Sequence, residues 1–90
     1  MNATAVASEL VRMAAEQTGV DFFDIAGDGQ DQKSALPRHA IILALRRKGY
    51  SHRQIGRLLQ RDHSAIQHAE KRAQARLSDP WFAALVEALE

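Results

Sequence analysis

Two helix starts stand eleven residues apart in the second half of this 90-residue chain, and they constrain its fold more than any other feature. Ser51-His52-Arg53-Gln54 has the S-x-x-Q pattern of a capping box, in which the hydroxyl and the glutamine side chain satisfy each other's orphan backbone donors. Asp62 is the second N-cap, followed at once by a long helical pattern. Between them fits a short helix that turns Ile55, Leu58 and Leu59 inward, and then a turn, Gln60-Arg61-Asp62. From His63 to about Leu77, a seam of Ile66, Ala69, Ala73 and Leu77 recurs at helical spacing, its alanines small enough for close helix approach. The helical period then places Ser64, Gln67, His68, Lys71 and Ala75 on the opposite, outward side.

The flanks add more helices. Val6, Leu10, Met13 and Ala14 recur from about Thr4 to Gln17, and Gly19 supplies a stop. Val20 to Ile25 reads as one apolar helical turn, and Gly27 to Ser34 as a polar, glycine-bearing loop. Pro37 fits the first turn of a helix running to about Lys48, where its missing N–H costs nothing; Gly49 ends it, and Ile41, Ile42, Ala44 and Leu45 form its buried side. Asp79 and Pro80 start a last helix with Trp81, Phe82, Leu85, Val86 and Leu89 as apolar cover. No strand-period alternation or repeat is present. The reading predicts an all-α, compact bundle of about six helices, a single domain over residues 1–90 with a helix-turn-helix at about 51–77.

The formal net charge of +1 conceals an uneven distribution. Residues 33–76 hold eleven bases against Asp62 and Glu70, and all four histidines; residues 1–32 hold one base against six acids, and residues 77–90 hold three acids alone. A concentrated positive segment is the electrostatic footprint of a polyanion partner. In a helix-turn-helix the second helix enters the major groove by its N-terminal end, which puts Asp62, His63, Ser64, Gln67 and His68 beside base edges. Asp accepts from cytosine N4, Gln pairs with adenine, and Ser and His serve as adaptable donors. Arg46, Arg47, Lys48, Arg53, Arg57, Lys71 and Arg72, with Arg61 in the turn, are candidates for phosphate contacts, which position without reading sequence. Each has a plainer role as well: Asp62 as a helix cap, and Arg46-Arg47-Lys48 as a solvated helix end where cations favour the dipole.

Several classes are set aside. Without cysteine there is no disulfide, thiolate zinc site or cysteine nucleophile. His63 and His68 are five apart rather than four, so no metal site is expected. No nucleophile, base and orienting group are legible together, and no glycine-rich phosphate loop exists, so we expect no enzyme, no cofactor and no small-molecule substrate. No apolar run is longer than Ala40 to Leu45, which is too short to span a bilayer, and the acidic start lacks a signal peptide's basic entry, so the expected place is the cytoplasm with no membrane partner.

Arg61-Asp62-His63-Ser64-Ala65-Ile66-Gln67-His68-Ala69 resembles the signature R-D-H-[ST]-T-V-x-H-A of the C-terminal domain of DnaA, the bacterial replication initiator. Ala35-Leu36-Pro37-Arg38-His39 resembles that family's A-R-P-R-Q, and Ser51 to Gly56 its S-x-x-x-I-G. The three blocks match in order and the likeness covers nearly the whole chain. It implies a six-helix domain with a Trp-repressor-like helix-turn-helix that binds double-stranded DNA at the nucleoid, in replication initiation at an origin. Asp62, His63 and Ser64 would contact bases, Arg38 the backbone, and Arg46 would approach DNA from the end of the preceding helix. Ala65 departs from the signature's second hydroxyl. Gly27 to Gln32, with Asp28 and Asp31, stands where the family carries an arginine-rich loop that reaches the minor groove, and only Lys33 there is basic. Weaker binding to an ordinary DnaA-box duplex is the expectation. The family's AAA+ ATPase module has no counterpart in the chain, which leaves two readings, an excised domain or a free-standing small protein, with Met1 and the divergent loop leaning toward the second. Two alternatives stand beside this reading: a small, homodimeric transcription regulator, or a module that docks on replication proteins through the acidic first helix or the Trp81–Leu89 helix.

Overall fold

Short polar side chains start five helices of the computed structural model, which describes residues 2–27 and 32–90. Asn2, Asp21, Ser51, Asp62 and Asp79 each accept from a backbone N–H in the first turn, at 2.8 to 3.1 Å. They begin α1 (Ala3–Thr18), α2 (Phe22–Ala26), α4 (His52–Leu59), α5 (His63–Arg76) and α6 (Pro80–Ala88); α3 spans Gln32–Arg47, and no strand occurs among the described residues. The capping box is complete: Ser51 Oγ accepts from the Gln54 N–H at 3.1 Å, and Gln54 Oε1 accepts from the Ser51 N–H at 2.8 Å. Gly19 stops α1 in the left-handed conformation at φ 75°, which only glycine adopts without penalty, and its N–H closes on the Ala15 carbonyl at 2.9 Å.

Helix α3 departs from expectation twice. It begins at Gln32, five residues before Pro37, so Lys33 and Ser34 are helical and Ser34 is buried. The proline removes a bond to the carbonyl of Lys33, an exposed residue where water can substitute, while its own ring is fully buried. Burial of the ring offsets the lost bond. The second departure is that α3 has no solvent face across its middle: Ala40 to Leu45 are all 0–1% exposed. A helix that is apolar all round is a central one, and α1, α2, α5 and α6 pack on it from different sides.

Elsewhere the expected seams hold with shifts in rank. Leu10 and Ala14 of α1 are buried with Ala7 and Val11, while Val6 and Met13 are half-buried around them. Ile66 and Ala73 of α5 are fully buried, with Ala69 and Leu77 against the cluster. Phe82, Leu85, Val86 and Leu89 bury one side of α6, but Trp81 is 53% exposed rather than core cover, because it lies 100° round the helix from Phe82.

Candidate nucleic-acid interface

The helix-turn-helix is built by a close approach at Gly56. A Cβ there would stand 2.5 Å from the Arg61 carbonyl, so only glycine lets the turn fold back on α4, where the Arg61 N–H donates to the Gly56 carbonyl at 2.8 Å. Gln60 makes the reversal in the left-handed region, at φ 55° and ψ 49°, a conformation costing a non-glycine residue about 1 kcal/mol. Asp62 then starts α5.

Two arginines tie this turn to the rest of the bundle. The Arg61 guanidinium donates to the Leu59 carbonyl at 2.8 Å and to the Gly27 carbonyl at 2.6 Å. Arg38, 7% exposed, donates through Nε to the Ile25 carbonyl and through Nη2 to the Asp24 carbonyl, both at 3.0 Å, with Gly27 at 3.4 Å. The last carbonyls of a helix carry partial negative charge and lack intrahelical partners, and these guanidiniums supply both needs for α2. Arg38, expected at the surface from the family pattern, is therefore a buried cap of α2. Asp28 and Asp31 lie outside the described residues.

The outward side of α5 is as the periodicity predicts: Ser64, Gln67, His68 and Lys71 are all exposed, in line with the half-exposed His63 at the helix start. Asp62 is exposed too; the backbone N–H of Ser64, then its hydroxyl, hold the carboxyl below the usual aspartate range, and His63 Nδ1 lies 3.8 Å away. Arg53 and Arg57, one turn apart on α4, are exposed and line a cleft of about 640 Å³ with Gln60, Arg61, Asp62 and His63. Lys48, Arg53, Arg57 and Lys71 enter no ion pair among the described residues.

Arg46 is differently placed. Its Nε donates to Glu70 Oε2 at 3.0 Å and its Nη1 to the Tyr50 carbonyl at 2.9 Å, while Glu70 Oε1 lies 2.6 Å from His52 Nε2. Burial pushes the Glu70 carboxyl up, but the hydrogen bonds from His52 and Arg46, with the Arg46 charge, outweigh it and leave it below its ordinary value. One acid thus joins the end of α3, the start of α4 and the middle of α5. Sequence reasoning gave Glu70 no role; its signal was to be one of only two acids in the basic segment. His39, also unassigned, has a buried Nδ1 with no hydrogen-bond partner, and burial together with the charges of Arg76, Arg72 and Arg38 pushes its pKa down to about 4.

Among the described residues no three histidine or acidic side chains gather as metal ligands, and no helix is long and apolar enough to cross a membrane. Comparison with curated proteins and with solved structures gives no match. The model of one family, described as the bacterial DnaA protein helix-turn-helix, matches residues 7–73, from the first turns of α1 to the last turn of α5. That span contains the capped α4, the Gly56 turn and the outward face of α5, and with this agreement of pattern and geometry the chain belongs to the bacterial DnaA helix-turn-helix family of DNA-binding domains.

Proposed function

We propose that this domain binds double-stranded DNA with sequence preference by laying the N-terminal half of α5 in the major groove. Asp62, His63, Ser64, Gln67 and His68 are the base-reading set, and Lys48, Arg53, Arg57 and Lys71 the phosphate-binding set. The observation that supports this most directly is the division of α5: Ile66 and Ala73 are wholly buried, while Ser64, Gln67, His68 and Lys71 face outward beside the exposed Arg53 and Arg57 of α4. In this reading Arg38 and Arg61 hold the motif in place from behind. The function is binding, as in the rest of the family, at sites related to the DnaA box.

Binding of a labelled duplex at several salt concentrations tests the reading. With four phosphate contacts the log–log slope of affinity against salt is expected near −3 to −4, at roughly 0.9 per phosphate. Sequencing of genomic fragments retained by the domain then gives the preferred site. A flat salt response and no enriched site would overturn the proposal and favour docking on a protein through the exposed Phe23 or Trp81.

A further inference from the structure

Of the two acids in the basic segment, Asp62 caps its own helix α5. Glu70 is the other, and it sits on α5 directly before Lys71. Its carboxylate is held between Arg46 Nε at 3.0 Å and His52 Nε2 at 2.6 Å, and with His52, Gln67, His68 and Lys71 it lines a hollow of about 290 Å³. Gln67, His68 and Lys71 are the outward side of α5. The acid therefore borders the proposed phosphate surface instead of lying behind it. Arg46 reaches the same place with 36% of its side chain exposed, so its charge is at hand for a ligand yet cancelled by its neighbour.

We propose that Glu70 acts as an internal stand-in for a backbone phosphate: it competes for Arg46 and so sets the DNA affinity of the domain below what its bases would otherwise give. The inference rests on the DNA-binding reading above. A guanidinium whose Nε–H is taken by a carboxylate and one Nη by a carbonyl has fewer N–H groups left for a bidentate phosphate contact, and the carboxylate repels the phosphate as it arrives. Neutralising Glu70 turns Arg46 into one further counterion-releasing contact.

The test compares the whole chain with its Glu70→Gln variant on one duplex across salt, with melting curves to verify folding. Competition predicts that E70Q binds about tenfold more tightly near 0.1 M salt, with a slope steeper by about one. Adding Arg46→Gln to E70Q should remove both gains. If the parent chain binds with a steep slope but E70Q binds equally or less tightly at that slope, Glu70 only positions its neighbours and this inference fails alone. If the parent chain does not bind duplex, the DNA-binding reading fails and this inference with it. Should E70Q not fold, the Arg46 Nε–H resonance of the parent chain gives the answer: competition requires it to shift on saturation with duplex, and an unmoved resonance overturns the proposal.

Discussion

Arg61 and Gly27 are thirty-four residues apart in sequence and joined by a 2.6 Å hydrogen bond from guanidinium to carbonyl. The same guanidinium holds the Leu59 carbonyl, so the turn that aims α5 is fastened to the C-terminal end of α2. The orientation of the recognition helix is thereby inherited from the bundle. In the proposed reading a half-buried arginine in this position acts through geometry, whereas an exposed one on the same surface acts through charge.

Arg61→Gln is accordingly expected to lower stability by about 1–3 kcal/mol, the scale of hydrogen bonds made by a charged group. It should weaken DNA binding without making the salt slope shallower. Lys71→Ala gives the opposite pair of results: an unchanged melting temperature, and a slope shallower by about one on every sequence. Thermal melts and salt titrations of both variants decide this, and a slope lost with Arg61 would show that it meets phosphate directly.

His63→Ala should cost about 1–3 kcal/mol on the preferred site and much less on random duplex. Asp62→Asn retains an N-cap side chain but loses the charge, so it should change site preference with little change in melting temperature, whereas Asp62→Ala lowers both. Competition binding against site variants reads the difference. Equal losses on specific and random DNA would remove His63 from base readout.

His39 makes the fold sensitive to mild acid. Its ring stays neutral in the folded chain down to about pH 4, while in the unfolded chain it takes a proton near 6.5. Between those values unfolding is accompanied by proton uptake, so stability is full above 6.5, falls as the pH drops toward 4, and levels below. The arginines that face it, Arg38, Arg72 and Arg76, keep their charge throughout this range. Because the ring is only partly buried, the loss per pH unit should be less than the roughly 1.4 kcal/mol of a full proton. Urea melts at pH 7.5, 6 and 5 should show the decline, and His39→Gln should flatten it.

Gly56→Ala should destabilise the domain by about 1–3 kcal/mol despite alanine's better helix propensity, since the new methyl meets a backbone carbonyl that cannot swing away. Gln60→Gly should do the reverse and raise stability by up to about 1 kcal/mol by relieving the left-handed conformation. Denaturant midpoints of the two variants check both signs. An alanine tolerated at 56 would mean that the turn can open.

What the sequence revealed and what it hid divide along the range of the interactions. Ser51, Asp62 and Asp79 announce their helices because a cap is decided within three residues, and the outward face of α5 follows from the helical period alone. Pro37 misled because its cost is local and its compensation, a buried ring, is tertiary. Nothing near Arg38 or Arg46 in sequence shows that the carbonyls of α2 or the carboxylate of Glu70 await them. Trp81 beside Phe82 looks like core in the sequence, and only the packing angle of α6 reveals that one of the pair must face out.

Helix α3 occupies the centre of the bundle, and this separates two kinds of information in the chain. The stability of the domain is written in Ala40 to Leu45 and the residues that pack on them, while Ser64, Gln67, His68 and Lys71 carry no packing duty at all. If α5 reads DNA as proposed, a chain so divided can be retargeted one residue at a time: changes at Ser64, Gln67 or His68 alter which sequence is read, a change at Lys71 alters the affinity for every sequence, and all leave the folded population as it was. On that reading, mutational drift at Ser64, Gln67 and His68 would explore new DNA sites at nearly constant stability, whereas the same number of changes along α3 would remove the molecule.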